Sequence, residues 1–139
     1  MAKTILISSF EFGIATGCWR SYMHQDNEFR LFTKVNNYYS YVRTYVSINI
    51  PNIHRDLRIN LLEESYSLVR NIYNASYTRG NIRMKHLNEM IVNISMIDML
   101  IEILINLLSK EKKHLLNAVG MLTEIKNMVF AWKSNEERS

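Results

Sequence analysis

The residues best suited to metal chemistry are a glutamate and a histidine three positions apart, Glu111 and His114. On a helix this spacing puts both side chains on one face, and di-iron bundles use two such pairs plus two further carboxylates. The chain has one copy of this Glu-x-x-His pair. His86 and Glu89 are also three positions apart, but the histidine comes first, so they are not a second copy. The four histidines also lack local metal-ligand spacing. The sequence therefore predicts no metal site, and Glu111 is interpreted as a solvated charge at a helix end.

Other catalytic signatures are also missing from the sequence. It contains no glycine-rich phosphate loop, no Gly-x-Ser-x-Gly elbow and no Cys-His signature. The single cysteine, Cys18, cannot form an intramolecular disulfide or a thiolate zinc site alone, so a reducing cytosol is expected. We predict a cytoplasmic protein that is not an enzyme and has no cofactor.

Helices must position any functional residues of this chain. Apolar residues recur at spacings of three and four from Phe29 to Lys133. Pro51 is placed in the first turn of a helix, where proline is tolerated, and Gly80 breaks the pattern, since glycine readily takes the left-handed conformation. Ser109 is predicted to cap the last helix. The predicted helices cover about residues 30–48, 51–77, 82–109 and 111–132.

This pattern predicts an all-α fold, an antiparallel four-helix bundle over residues 29–133. Residues 1–28 are predicted to be an N-terminal arm of uncertain structure, in which 4–14 is a candidate extended segment and 17–27 a candidate loop, and residues 134–139 a polar tail. The first 18 residues have a short apolar run ahead of Cys18, but Glu11 splits it, so a secretion signal is not predicted.

The third predicted helix is the most apolar. Met90 to Leu108 is nearly long enough to cross a bilayer, but a central Asp98 would cost about 2.5–3.5 kcal/mol there and Glu102 adds a similar burden. We interpret it as a buried helix with no membrane role. Its apolar residues exceed the third or so that a bundle helix needs, which predicts a surface covered by another subunit. The alternative is a thicker single core closed by the N-terminal arm.

Basic residues suggest an anionic partner. The formal net charge is +4, and cations can bind nucleic acid by releasing counterions from phosphates. The candidate nucleic-acid-binding residues, all expected to be exposed, are Arg55, Arg58, Arg79, Arg83 and Lys85. The alternative is a set of solvated faces, since no aromatic interleaving marks a single-strand platform in the sequence.

Two stretches of the chain resemble a known family. They are YVSINIPNIHRDLRINLLEESYSLVRNIYNASY and HLNEMIVNISMIDMLIEILINLLSKEKKHLLNAVGMLTEIKNMVFAWK. Over about residues 30–133 the chain resembles the accessory variability determinant proteins of diversity-generating retroelements. It is also similar to their wider four-helix-bundle relatives, which include proteins encoded in intervening sequences of bacterial ribosomal RNA genes. The points of resemblance are Pro51 followed by His54 and Arg55, the segment 61–75, and Glu124-Ile125 ahead of Trp132-Lys133.

The resemblance implies a function. Proteins of this family are bundles that assemble as five-subunit barrels, bind the retroelement's reverse transcriptase and RNA, and support mutagenic copying. It implies a non-catalytic accessory subunit that forms a ring-like homopentamer and binds reverse transcriptase, RNA and RNA/DNA hybrids.

The chain also departs from the family. Asp98 and Glu102 stand where relatives commonly have arginines, and Phe130 and Ala131 replace glycines. These departures weaken the transfer of nucleic-acid contacts on the third helix. The alternative is a self-associating bundle that binds a protein partner and has no nucleic-acid role.

Overall fold

The computed structural model describes the chain from residue 19 to residue 138, with side chains from residue 28 onward. Within this part 94% of the residues are helical and no strand occurs. Four α-helices pack together, as the sequence predicted. They are α1 (Trp19–Tyr41), α2 (Arg55–Ser76), α3 (Gly80–Leu107) and α4 (Lys112–Glu137). The question of a signal in residues 1–18 lies outside the described residues.

Helix α1 begins well before its predicted start. Residues 19–27, which belong to the candidate loop 17–27, are helical. No glycine or proline stands between Trp19 and Tyr41, so no residue in this segment opposes extension of the helix toward the N-terminus. The segment lacked a clear apolar period, which is why its sequence did not predict the helix.

Helix α1 continues into a wider turn. Val42–Val46 form a π-helical turn, followed by a 3₁₀ turn over Ser47–Asn49. Val42 and Val46 are both buried although they are four residues apart. In an ideal α-helix a step of four overshoots a full turn by about 40°, which would rotate one of the two side chains away from the core. The wider π turn compensates for that drift.

The predicted helix starts are corrected by the structure. Pro51 has an extended backbone, with ψ at 155°, and a 3₁₀ turn over Asn52–His54 separates it from α2. Ser109 is not the cap of α4: it opens another 3₁₀ turn, and no side chain caps the helix. Proline has no N–H and sets its own φ, so it fits the extended approach to a helix as well as the first turn. Gly80 does take the left-handed conformation, with φ at 61°.

Helix α4 extends past its predicted end. The polar residues assigned to the tail are helical as far as Glu137. Glu136 accepts a hydrogen bond from the Gly80 amide at 3.0 Å and lies 3.4 Å from the Arg83 guanidinium. These contacts with the α2–α3 connection hold the last turn of α4 in place.

The core is mostly aliphatic, and two polar contacts lie within it. The first joins the buried Tyr38 hydroxyl to the Ser65 hydroxyl at 2.9 Å. Burial raises the pKa of Tyr38 well above its usual value, and the charge of Asp98 adds to this while the Ser65 hydrogen bond opposes it. In the second, Asn71 Nδ2 donates to Asn93 Oδ1 at 2.7 Å, and Asn93 Nδ2 donates to Glu64 at 2.9 Å. Both contacts satisfy polar groups that would be costly to bury alone.

Replacing Tyr38 with phenylalanine is expected to lower the free energy of unfolding by about 1–2 kcal/mol, because the buried Ser65 hydroxyl is left without its partner. Ser65→Ala should cost a similar amount, and the double variant less than the sum of the two. Urea unfolding of all four proteins measures this coupling. Strict additivity would show that the hydrogen bond contributes nothing.

The same variants test the shifted pKa. In the unfolded chain Tyr38 ionises near its ordinary pKa of 10.0, whereas burial raises the pKa of Tyr38 in the folded chain. Stability should therefore fall as pH rises above about 10, and Tyr38→Phe should show a shallower fall over that range. An equal pH dependence in both proteins would contradict the assignment.

Candidate nucleic-acid interface

The five predicted nucleic-acid-binding residues fall into two groups at opposite ends of α2. Arg55 and Arg58 occupy its first turn, while Arg79, Arg83 and Lys85 surround its connection to α3. The helix has 22 residues, which at about 1.5 Å per residue separates the groups by roughly 30 Å. Within one subunit the five residues therefore do not form a single patch.

Their exposure differs. Arg55, Arg79 and Lys85 are exposed, and Arg58 is half-buried. Among the side chains that the structure describes, none of these four forms an ion pair. They are available to an anionic ligand, which agrees with the expected exposure except at Arg58.

Arg83 was expected to be exposed, and that expectation is wrong. Its side chain is only 11% exposed. Its Nε donates to the Ala75 carbonyl at 2.8 Å, and its terminal nitrogen lies 3.4 Å from Glu136 and 3.6 Å from Glu28. The guanidinium also lies over the Trp132 ring, 5.1 Å from its centroid. Arg83 thus joins the α2–α3 connection to α1 and α4, and its charge is already neutralised.

The histidine that could bind a metal has other contacts. The Nδ1 atom of His114 shares a hydrogen bond with the Tyr41 hydroxyl at 3.1 Å, and that hydroxyl also accepts one from Asn117. The ring of Tyr45 stacks on the imidazole, with centroids 6.0 Å apart. Glu111 lies at the N-terminus of α4. Among the described residues, no three His, Cys, Asp or Glu side chains are grouped to hold a metal ion.

The structure also shows aromatic interleaving that the sequence analysis missed. Tyr66, Arg70, Tyr73 and Tyr77, named here the tyrosine stripe, are all exposed on one face of α2 and its end. The Arg70 guanidinium lies 5.4 Å from the centroid of the Tyr66 ring. The Tyr73 and Tyr77 rings are nearly parallel, at 12° and 6.3 Å between centroids. The spacings of four, three and four residues were the available signal.

A polar groove borders this stripe. It lies between α2 and α3, with a volume of about 790 Å³, and is open to solvent. Arg70 and Lys85 are its cations and Glu89 its anion; Asn71, Asn81 and Asn88 supply amides. Arg70 therefore belongs to both the stripe and the groove, which places a cation between stacking surfaces and amide donors.

An exposed apolar stripe runs along α3. Its members are Val92, Met96, Met99, Ile103 and Leu107, which fall within about 80° at 100° per residue. The sequence predicted apolar excess on this helix, and these residues show where the excess lies. By length and composition α3 could also cross a membrane, a test that core helices of soluble proteins pass as well.

Asp98 is an acidic residue in the second half of α3 and is half-buried. Burial raises the pKa of its carboxyl group, and the charge of Lys126 opposes that rise. Glu102 is exposed. These two carboxylates make this part of α3 a poor surface for phosphate.

Comparisons with known proteins give no neighbour for this chain: no protein-family model, curated protein or solved structure matches it.

Arg83→Ala is expected to lower the free energy of unfolding by about 1.5–3 kcal/mol, because Glu28 and Glu136 are deprived of a charged hydrogen-bonding partner in a partly buried site. The matched control is Arg79→Ala, an exposed arginine that should change stability by less than about 0.5 kcal/mol. Thermal and urea unfolding measure both. Equal stability of the two variants would contradict the bridging role of Arg83.

Proposed function

We propose that this chain is a non-catalytic accessory protein of a diversity-generating retroelement, which binds the reverse transcriptase and template RNA during mutagenic cDNA synthesis. The family resemblance over about residues 30–133 suggests the system. The observation that carries the proposed RNA binding is the set of accessible cations at both ends of α2, which lack ion-pair partners among the described side chains. Arg55, Arg58, Arg79 and Lys85 are the proposed phosphate contacts, and Arg83 holds the connection between them.

The proposed subunit is an antiparallel bundle. Lys34 of α1 contacts Glu124 of α4 at 2.6 Å, and Tyr41, further along α1, contacts His114, which is earlier in α4. This reversed order is typical of antiparallel neighbours. The short connections from α2 to α3 and from α3 to α4 support the same arrangement.

The proposed assembly is a ring of five copies held together through the apolar stripe of α3. Exposed aliphatic and methionine side chains in one continuous row are typical of a surface that a partner covers. A second copy of the chain is the occupant that the family resemblance favours. In a ring, the cations at the ends of α2 would be repeated in every copy, so that neighbouring copies together form a larger basic surface. This offsets the distance between the two groups of cations within one subunit.

The double variant Met99→Glu/Ile103→Glu is expected to be monomeric, since two carboxylates in the centre of the apolar stripe cannot be desolvated without partners. Light scattering at micromolar concentration should give the mass of an oligomer for the parent and of one subunit for the variant, with helicity unchanged. Ile53→Glu is the control, because Ile53 is an exposed isoleucine outside the stripe. A monomeric parent would exclude the ring.

The quadruple variant Arg55→Ala/Arg58→Ala/Arg79→Ala/Lys85→Ala is expected to bind RNA and RNA/DNA hybrids more weakly. The slope of log affinity against log salt should fall by about 1 for each cation removed from a phosphate in each engaged subunit. The matched control removes four exposed cations elsewhere, Arg43, Lys110, Lys112 and Lys113. Fluorescence anisotropy at several salt concentrations, after helicity and mass are checked, measures both variants. Equal weakening by the control variant would show that net charge, and not these positions, determines binding.

The second candidate is a self-associating bundle with a protein partner and no nucleic-acid role. The apolar stripe favours it, because that surface needs no nucleic acid to explain it. A parent protein that assembles but binds neither RNA nor hybrid at low salt would establish this candidate. A reverse transcriptase gene and a near-duplicate template repeat beside the gene would favour the retroelement, and co-purification with that enzyme tests the partnership directly.

A further inference from the structure

We infer that the tyrosine stripe of α2 is a stacking surface for the unpaired bases of single-stranded RNA, with Arg55 and Arg70 as phosphate contacts along it. This inference rests on the proposed RNA binding. It adds the surface on which unpaired bases bind and the type of contact they make. Proteins that bind single strands combine aromatic rings, on which bases stack, with a cationic path for the backbone. The exposed face of α2 has both elements.

The stripe continues the basic group at the start of α2. At about 100° per residue, Arg55 lies on the same face as Tyr66, Arg70, Tyr73 and Tyr77, all within about 60°. This row extends for about 33 Å along the helix axis. It therefore runs from the basic group at the start of α2 to the end of that helix, where Tyr77 precedes Arg79 by two residues in the sequence.

Tyr66 and Tyr73 each pack against α1 on one side and are exposed to solvent on the other. Tyr66 packs against Tyr39 of α1 at 6.0 Å between centroids, and Tyr73 meets the buried Phe32 edge to face at 4.5 Å. Both tyrosines remain about half exposed, at 50% and 42%, and Tyr77 is 77% exposed. Rings that are already oriented lose little conformational entropy when a base stacks on them.

The cations beside the rings favour RNA over a protein partner. Arg70 lies over the edge of this face and lines the α2–α3 groove, where Lys85 and the amides of Asn81 and Asn88 are also present. An RNA strand with a backbone phosphate near Arg70 would have its neighbouring bases above the tyrosine rings. Ile59 is the exposed aliphatic residue on this face and Glu63 its exposed anion. The apolar stripe of α3 is instead entirely aliphatic or methionine, as expected of a subunit contact.

The test compares a labelled, unstructured 20-nucleotide RNA with the same RNA annealed to its complement. The variant is Tyr66→Ser/Tyr77→Ser, which spares Tyr73 because that ring covers Phe32. Tyr66→Phe/Tyr77→Phe keeps both rings, and Tyr45→Ser removes an exposed tyrosine that lies outside the stripe. Helicity and mass are checked for each protein first.

The serine variant is expected to bind the single strand about fivefold or more weakly for each ring removed, with an unchanged salt slope, because every cation that faces a phosphate is still present. Its affinity for the duplex should change by less than about twofold, since paired bases cannot stack on the stripe. The phenylalanine variant and Tyr45→Ser should bind the single strand as the parent does. Arg70→Ala should lower the single-strand salt slope by about 0.7.

Three outcomes overturn the inference and separate its failure from that of the proposed function. If the serine variant binds the single strand as tightly as the parent while the quadruple arginine and lysine variant is weakened, RNA binding stands and stacking on this stripe is wrong. If the serine variant changes oligomer mass, the stripe is a contact between copies. If the parent binds no RNA at low salt, both proposals fail together.

Discussion

The desolvated charge of Arg83 is the constraint on which the arrangement of the helices depends. A guanidinium that is mostly removed from water must have anionic and carbonyl partners, and this one takes them from the end of α2, the last turn of α4 and the start of the described side chains of α1. The connection at Gly80 brings Arg83 back toward Ala75, and Glu136 binds the Gly80 amide as well. One residue thus joins its own helix to the other three around a single turn.

Polar contacts in the core give the packing its register. An aliphatic interior tolerates sliding between helices, whereas the Tyr38–Ser65 and Asn71–Asn93 pairs each have one satisfactory alignment. The first sets α1 against α2, and the second sets α2 against α3. Because α2 takes part in both, its inward face is fully specified, and its outward face is left to carry charge and aromatic rings.

The number and type of the elements could be predicted from the sequence because proline, glycine and apolar spacing act locally. The breaks near Pro51 and Gly80 and the apolar excess of α3 follow from those signals. The burial of Arg83 could not be predicted, since its partners Glu28 and Glu136 are distant in sequence. The same reason applies to the rings of the tyrosine stripe: their spacing is visible in the sequence, but their exposure depends on how α1 packs against α2. The early start of α1 was missed because its first turns lack a clear apolar period.

The π-helical turn at Val42–Val46 has a consequence for aligning this chain with its relatives. Such a turn corresponds to one residue inserted into an α-helix. A relative with one residue fewer between Tyr41 and Ser47 would form the same four helices with an uninterrupted α1, and its core residues would be displaced by one position in an ungapped alignment. Relatives of this chain are therefore best aligned by the side chains that face the interior, with a gap permitted at this turn.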